Sequence, residues 1–121
     1  MRQHTLAFVI SMIVANLVLV PFGFADKHYS ADELNEIMES GRIPLQDSNA
    51  TMENENMIFS SCKAKVDTII GEAKEKHLPS KIVMSNDSAY IAKVWTEDAA
   101  ITYTCQAKAA KLMTSTSHYH E

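Results

Sequence analysis

Cys62 and Cys105 are the residues of this chain whose chemistry is most tightly bounded. Two sulfurs allow one intramolecular bridge. It would close a loop of about 44 residues, worth roughly 4 kcal/mol in the chain-entropy account. Neither cysteine belongs to a Cys-x-x-Cys pair, and no flanking pattern marks an activated thiolate. A structural staple is therefore expected, not redox catalysis.

The histidines come next. If the chain were cut after Ala25, it would begin Asp26-Lys27-His28. A free amine, two backbone amides and the His28 imidazole can surround Cu(II) or Ni(II) in a square plane of nitrogens. The bland alternative is a frayed terminus. At the other end, His118 and His120 flank Tyr119. In a strand both imidazoles would point to one side, but two ligands do not complete a zinc site, which wants four. Terminal residues are also commonly loose. His77 falls near the end of a helical stretch, where a protonated imidazole complements the helix dipole.

Trp95 is followed by Glu97 and Asp98. An exposed tryptophan beside acids has the composition of a protein-binding hot spot; a buried one is simply core. Alternation along the strand leaves both readings open. Nucleophilic chemistry finds no support. No serine lies in a G-x-S-x-G or S-x-x-K pattern, and only Gly41 and Gly71 follow residue 25, too few for a glycine-rich phosphate loop. No catalytic residue and no cofactor are expected.

The elements that must position these residues begin with one that is expected to be removed. Arg2 is followed by an apolar run from Leu6 to Val20, broken only by Ser11 and Asn16, then Pro21 and Gly23-Phe24-Ala25. Residues 1–25 read as a secretory signal peptide. The rival reading is a membrane anchor, but the run falls short of the roughly 20 residues a spanning helix wants. Export would place the protein in the periplasm or outside the cell, where a disulfide persists, with no stable membrane insertion after cleavage. The remainder, 26–121, is expected to be one small domain.

Charge narrows the partners. Of 11 Lys and Arg only Arg2 precedes residue 26, and all 15 Asp and Glu follow Ala25. An acidic domain does not attract phosphate backbones, so nucleic acid is not expected as a partner.

Ser30-Ala31-Asp32-Glu33 forms a capping box, and Leu34, Ile37 and Met38 recur at helical spacing up to Gly41, a left-handed C-cap. A short helix is predicted over 31–40. Residues 42–56 are poor in apolar side chains, and a strand is expected near Glu55–Phe59. Cys62, Val66, Ile69, Ile70 and Ala73 share one face of a predicted helix over 61–77, capped by Ser60 or Ser61. Pro79 ends it. The period then shortens to two, giving strands near 81–84, 89–95 and 100–106, and a fourth over 111–117 where Ala107–Ala110 also favours helix. The expected fold is α+β: one long helix packed on a three- to four-stranded antiparallel meander, with a short N-terminal helix. Residues 26–56 would be a helix and loop arm and 57–117 the helix-plus-sheet core.

Cys62-Lys63-Ala64-Lys65-Val66, together with Lys93-Val94-Trp95-Thr96-Glu97-Asp98-Ala99-Ala100 running into Thr102-Tyr103-Thr104-Cys105, resembles a group of small exported bacterial proteins of unknown function. The resemblance implies a periplasmic setting and a helix-plus-hairpin arrangement. It implies no activity and no catalytic residue.

The function expected from these readings is a non-catalytic protein-binding module with a partner in the cell envelope. Trp95, Glu97 and Asp98 are its candidate contact residues. A copper or nickel carrier using His28 or the His118/His120 tail is the alternative, and a small secreted enzyme the second.

Overall fold

The computed structural model describes residues 27–120. The expected signal peptide, residues 1–25, lies outside the described residues, as does Asp26, the amine donor of the postulated copper motif. Among the described residues no helix is long and apolar enough to cross a membrane.

The first helix, α1, spans Ala31–Glu39. Its capping box is complete: the Glu33 backbone N–H donates to Ser30 Oγ, and the Ser30 N–H donates to Glu33 Oε1. The Glu33 carboxyl is held below its ordinary pKa, first by the Ser30 backbone N–H and second by the Ser30 hydroxyl. At the other end Gly41 adopts φ 84°. Its N–H bonds the Met38 carbonyl while the Arg42 N–H reaches back to Ile37, a Schellman closure that needs the left-handed residue.

Strand β1 spans Thr51–Asn56 and helix α2 spans Phe59–Glu75. α2 starts two residues before the predicted 61. Ile58 is its N-cap, with no side-chain cap bond, so Ser60 and Ser61 lie inside the first turn. It ends at Glu75, not His77. His77 stands one residue past the cap at φ 61°, its N–H on Lys74 O, with the Leu78 N–H on Ala73 O. The place of His77 is therefore conformational: it is the left-handed closing residue, a role usually taken by glycine.

Strands β2 (Ser80–Ser85), β3 (Ala89–Trp95), β4 (Ala99–Gln106) and β5 (Lys111–His118) follow. All pairings are antiparallel and the spatial order is β1-β5-β4-β3-β2. This corrects the expected architecture. The protein is mainly a five-stranded antiparallel sheet carrying two helices of nine and seventeen residues, not one long helix on a three- to four-stranded meander. The added strand lies at 51–56, upstream of the predicted 55–59. Every residue of it is exposed, so it carries no buried apolar stripe. Pairing with β5 in full register, Thr51 to Thr116 through Asn56 to Lys111, is what holds it. Residues 107–110 form a turn, not helix, with Ala110 at φ 52°.

The Cys62–Cys105 disulfide ties α2 to β4, with Cα atoms 5.8 Å apart. It lies in a cluster with Val66, Ile70, Tyr90, Ala92 and Leu112. α2 thus covers one face of the sheet. Tyr90 donates its hydroxyl to Asp67 of α2, and that bond, with burial, pushes the phenol up to about 12. A second cluster, Leu34, Trp95, Ala100 and Tyr119, joins α1 to one end of the sheet. By alternation Trp95 faces away from the Tyr90–Ala92–Val94 side. At this end the sheet is therefore buried on both faces.

Candidate functional site

The chemistry-bearing residues predicted at opposite ends of the sequence meet at that doubly covered end. The β3–β4 turn is closed by Thr96, whose N–H and Oγ1 both bond the Ala99 carbonyl, while Oγ1 accepts the Ala99 N–H. The N-terminal segment lies across this turn. Lys27 N–H donates to Tyr119 O, Tyr29 N–H donates to Glu97 O, and His28 Nδ1 lies 2.7 Å from Asp98 Oδ1. A third segment crosses the same C-terminal strand end: Asp47 N–H donates to His118 O, His120 N–H donates to Leu45 O, and the His120 Nε2 donates to the Gln46 carbonyl.

Tyr119 is the hub. It is fully buried, bridges both Lys27 and Gln46, packs edge-on against Tyr29 at 5.2 Å, and reaches Thr96 O and Ala99 O with its hydroxyl at 2.7 and 3.0 Å. Burial pushes that hydroxyl's pKa far up, with Tyr29 and Asp98 adding to the shift. The expectation of a loose His118–His120 tail is thereby corrected. Sequence reasoning passed over Tyr119 because it weighed only the flanking imidazoles.

Trp95, left open as core or surface, is core: it retains 4 % exposure among Leu34, Ala100 and Tyr119. Lys93 Nζ lies 5.2 Å from its ring centroid. A buried indole offers a partner no face, so of the three candidate contact residues only Glu97 and Asp98 are on the surface, and Asp98 already holds His28.

The metal-binding alternative meets two obstacles. Copper at an amino-terminal Asp26-Lys27-His28 motif would take the Lys27 and His28 amide nitrogens and His28 Nδ1. In the fold the Lys27 N–H is committed to Tyr119 O and His28 Nδ1 to Asp98, so metal capture would require the segment to leave the sheet. Among the described residues no group of three or more His, Cys, Asp or Glu is arranged to hold a metal ion.

No family model, no curated protein and no solved structure matches this chain. Function must therefore be argued from surface and geometry. The surface holds a feature that the sequence reading missed. Between α1 and β1, Ile43 and Leu45 are each 59 % exposed, while Pro44 between them is buried. The chain here runs with alternate residues out, in and out. It is tethered on one side by the Gly41 closure of α1 and on the other by the bonds of residues 45–47 to 118–120. The alternation Arg42-Ile43-Pro44-Leu45 was visible in the sequence, but proline and low apolar content marked the stretch only as loop.

The His28–Asp98 pair gives a pH signature. Asp98's hydrogen bond raises the His28 pKa above 6.5, with the charges of Asp98, Glu97 and Glu33 adding to it. A raised folded-state value stabilises docking of the N-terminal segment below about pH 6.5, and the contribution is lost as pH rises through the raised value. Asp98→Asn is expected to return His28 toward its ordinary value. Titration of the His28 ring protons by NMR reads this directly; an unshifted midpoint in the variant would refute the pairing.

Proposed function

We propose that the protein is an exported, non-catalytic binding domain of the cell envelope, periplasmic or secreted, and that its partner is another protein. The observation that carries this reading is the Arg42–Leu45 arm. Two large apolar side chains project from a segment whose backbone is already held at both ends. A segment ordered in advance loses little conformational freedom on docking, so more of the contact energy appears as affinity. Ile43 and Leu45 would be the buried contacts.

Export is supported by the pattern of residues 2–25 and by a disulfide of the kind that oxidising compartments sustain. The acidic balance of the chain argues for a protein surface over a nucleic acid.

The test is retention of envelope proteins on immobilised oxidised protein. One stoichiometric partner is expected, and Ile43→Lys combined with Leu45→Lys should weaken its binding at least tenfold. Both side chains are mostly in solvent, so the melting temperature should move by no more than a few degrees. Equal retention by wild type and double variant would remove the arm from the interface, and the absence of any partner would remove the reading itself.

A further inference from the structure

Side chains alternate between the two faces of a sheet, so the registers assign each charged strand residue to a face. The acidic and basic residues of the five strands are Glu53, Glu55, Lys81, Lys93 and Lys111. Glu55 stands in register with Leu112 and Cys105 beneath α2 and is tied to Lys65 of that helix. Glu53, two residues away, shares this face. Lys81 pairs with Lys93, and Lys111 pairs with Gln106, which pairs in turn with Ala89. Lys93 and Ala89 alternate with Tyr90 and Ala92 of the core, so all three lysines lie on the face away from α2. The charge of the sheet is segregated: both carboxylates on one face, all three ammoniums on the other.

The lysine face is covered by α1 only at one end, at Trp95 and Ala100. Among the described residues no ion pair engages Lys81, Lys93 or Lys111. Lys81 and Lys93 also stand directly opposite each other, an arrangement in which like charges repel. The irregularity of β2 lies between Ile82 and Met84, beyond this pair. Lysine on an exposed edge guards against stray strand pairing, which accounts for Lys81 on β2. It does not account for Lys93 and Lys111, which sit on the internal strands β3 and β5. In a chain of net charge −4, an open face carrying only positive charge is complementary to an anionic ligand.

The spacing of the lysines and the groups between them select that ligand. Lys111 stands two strands and four residues from Lys93, about 17 Å away, so no small anion bridges both. Across the strands from Lys81 the row reads Lys81, Lys93, Thr102, Ser115, with each step about 4.8 Å, close to the length a pyranose ring adds to an extended chain. Hydroxyls both donate and accept hydrogen bonds, as sugar hydroxyls require. A densely charged partner, such as a nucleic acid or an anionic bilayer, would meet the repulsion of the chain's net negative charge. A glycan whose acidic sugars are separated by neutral ones meets less of it.

We propose that this face binds an acidic glycan laid across β2–β5, with a uronate carboxylate at the Lys81–Lys93 pair and neutral sugar hydroxyls at Thr102 and Ser115. The glycan is a second ligand, distinct from the protein partner, and the proposal uses none of the residues of the Arg42–Leu45 arm.

A hyaluronan octasaccharide, in which uronate and neutral sugars alternate, is the probe. Added to the oxidised protein, it should shift the amide NMR signals of Lys93, Thr102 and Ser115 and leave those of α2 in place. Affinity should fall as salt rises from about 20 to about 200 mM. Lys81→Gln combined with Lys93→Gln should weaken binding roughly tenfold, whereas Lys74→Gln, exposed on α2, should not change it. The double variant relieves a like-charge pair and should melt within a few degrees of wild type. Should it fail to fold, Lys111→Gln, at an exposed strand end, supplies the second reading, with binding about threefold weaker. Tighter binding of polyglutamate or of phosphatidylglycerol vesicles would assign the face to a protein or a membrane and overturn the proposal. So would equal binding of a neutral maltooligosaccharide of the same length, no binding of the probe, or an affinity indifferent to the lysine substitutions.

Discussion

Replacing Cys62 with Ser should lower the melting temperature of the oxidised protein by about 15–30 °C. The bridge joins residues 43 apart in sequence, and a loop of that length is worth roughly 4 kcal/mol in unfolded-chain entropy. A domain of this size loses about 4–8 °C per kcal/mol. Its total stability is of the order of 5–15 kcal/mol, so the bridge supplies a large share. The position adds to the effect. Both cysteines are fully buried between α2 and β4, and serine there would bring a hydroxyl into an apolar cluster. Calorimetry of wild type and variant, each in oxidising buffer, measures the difference. The reduced wild type should melt with the variant, and coincidence of oxidised wild type and variant would show that the staple does no thermodynamic work.

Tyr119→Ala should be comparably damaging, at about 3–5 kcal/mol, the range for removing a large buried aromatic side chain. The packing lost is that of the Leu34–Trp95–Ala100 cluster, and the hydroxyl contacts to Thr96 and Ala99 go with it. Tyr119→Phe separates the two effects. It keeps the ring and loses the hydroxyl's bond to the part-buried Thr96 carbonyl, while the Ala99 carbonyl still accepts from Thr96, so a cost of about 0.5–1.5 kcal/mol is expected. Chemical denaturation gives both values. Hydrogen exchange adds a spatial signature: in Tyr119→Ala the amides of Lys27, Tyr29 and Asp47 should lose protection before those of β3 and β4. These three donate to Tyr119, Glu97 and His118 carbonyls at the end of the sheet that Tyr119 organises. Uniform loss of protection would mean that this end does not open separately.

The two substitutions probe two clusters, and the distinction bears on function. The disulfide cluster fixes α2 to the centre of the sheet. The Tyr119 cluster gathers the N-terminal segment, the β3–β4 turn and the Arg42–Leu45 arm at one end. If the arm is the docking element, Tyr119→Ala should also weaken partner binding, whereas Tyr119→Phe should largely preserve it.

Elements with strong local signals were legible in the sequence. The Ser30–Glu33 box and Gly41 bounded α1 because both devices satisfy backbone groups within a few residues. The apolar face Cys62–Val66–Ile70–Ala73 marked α2, and the two-residue period marked β3 and β4. The cysteine count determined the pairing, since two sulfurs admit one bridge. β1 was misplaced because its six residues are all exposed: it is a strand only through hydrogen bonds to β5, and no local pattern encodes a distant ladder. The fate of Trp95 was likewise undetermined. Alternation assigns a side chain to a face, but it cannot say which faces are covered, and here α2 covers one and α1 the end of the other. His28 and Asp98 lie 70 residues apart in the chain, and Ile43 and Leu45 are prominent only because Pro44 is buried and the next residues are pinned to 118–120. Sequence by itself determined what each segment could form locally and which two sulfurs could join. Only the tertiary structure decided which surfaces remain in water, because burial depends on which distant elements arrive to cover them.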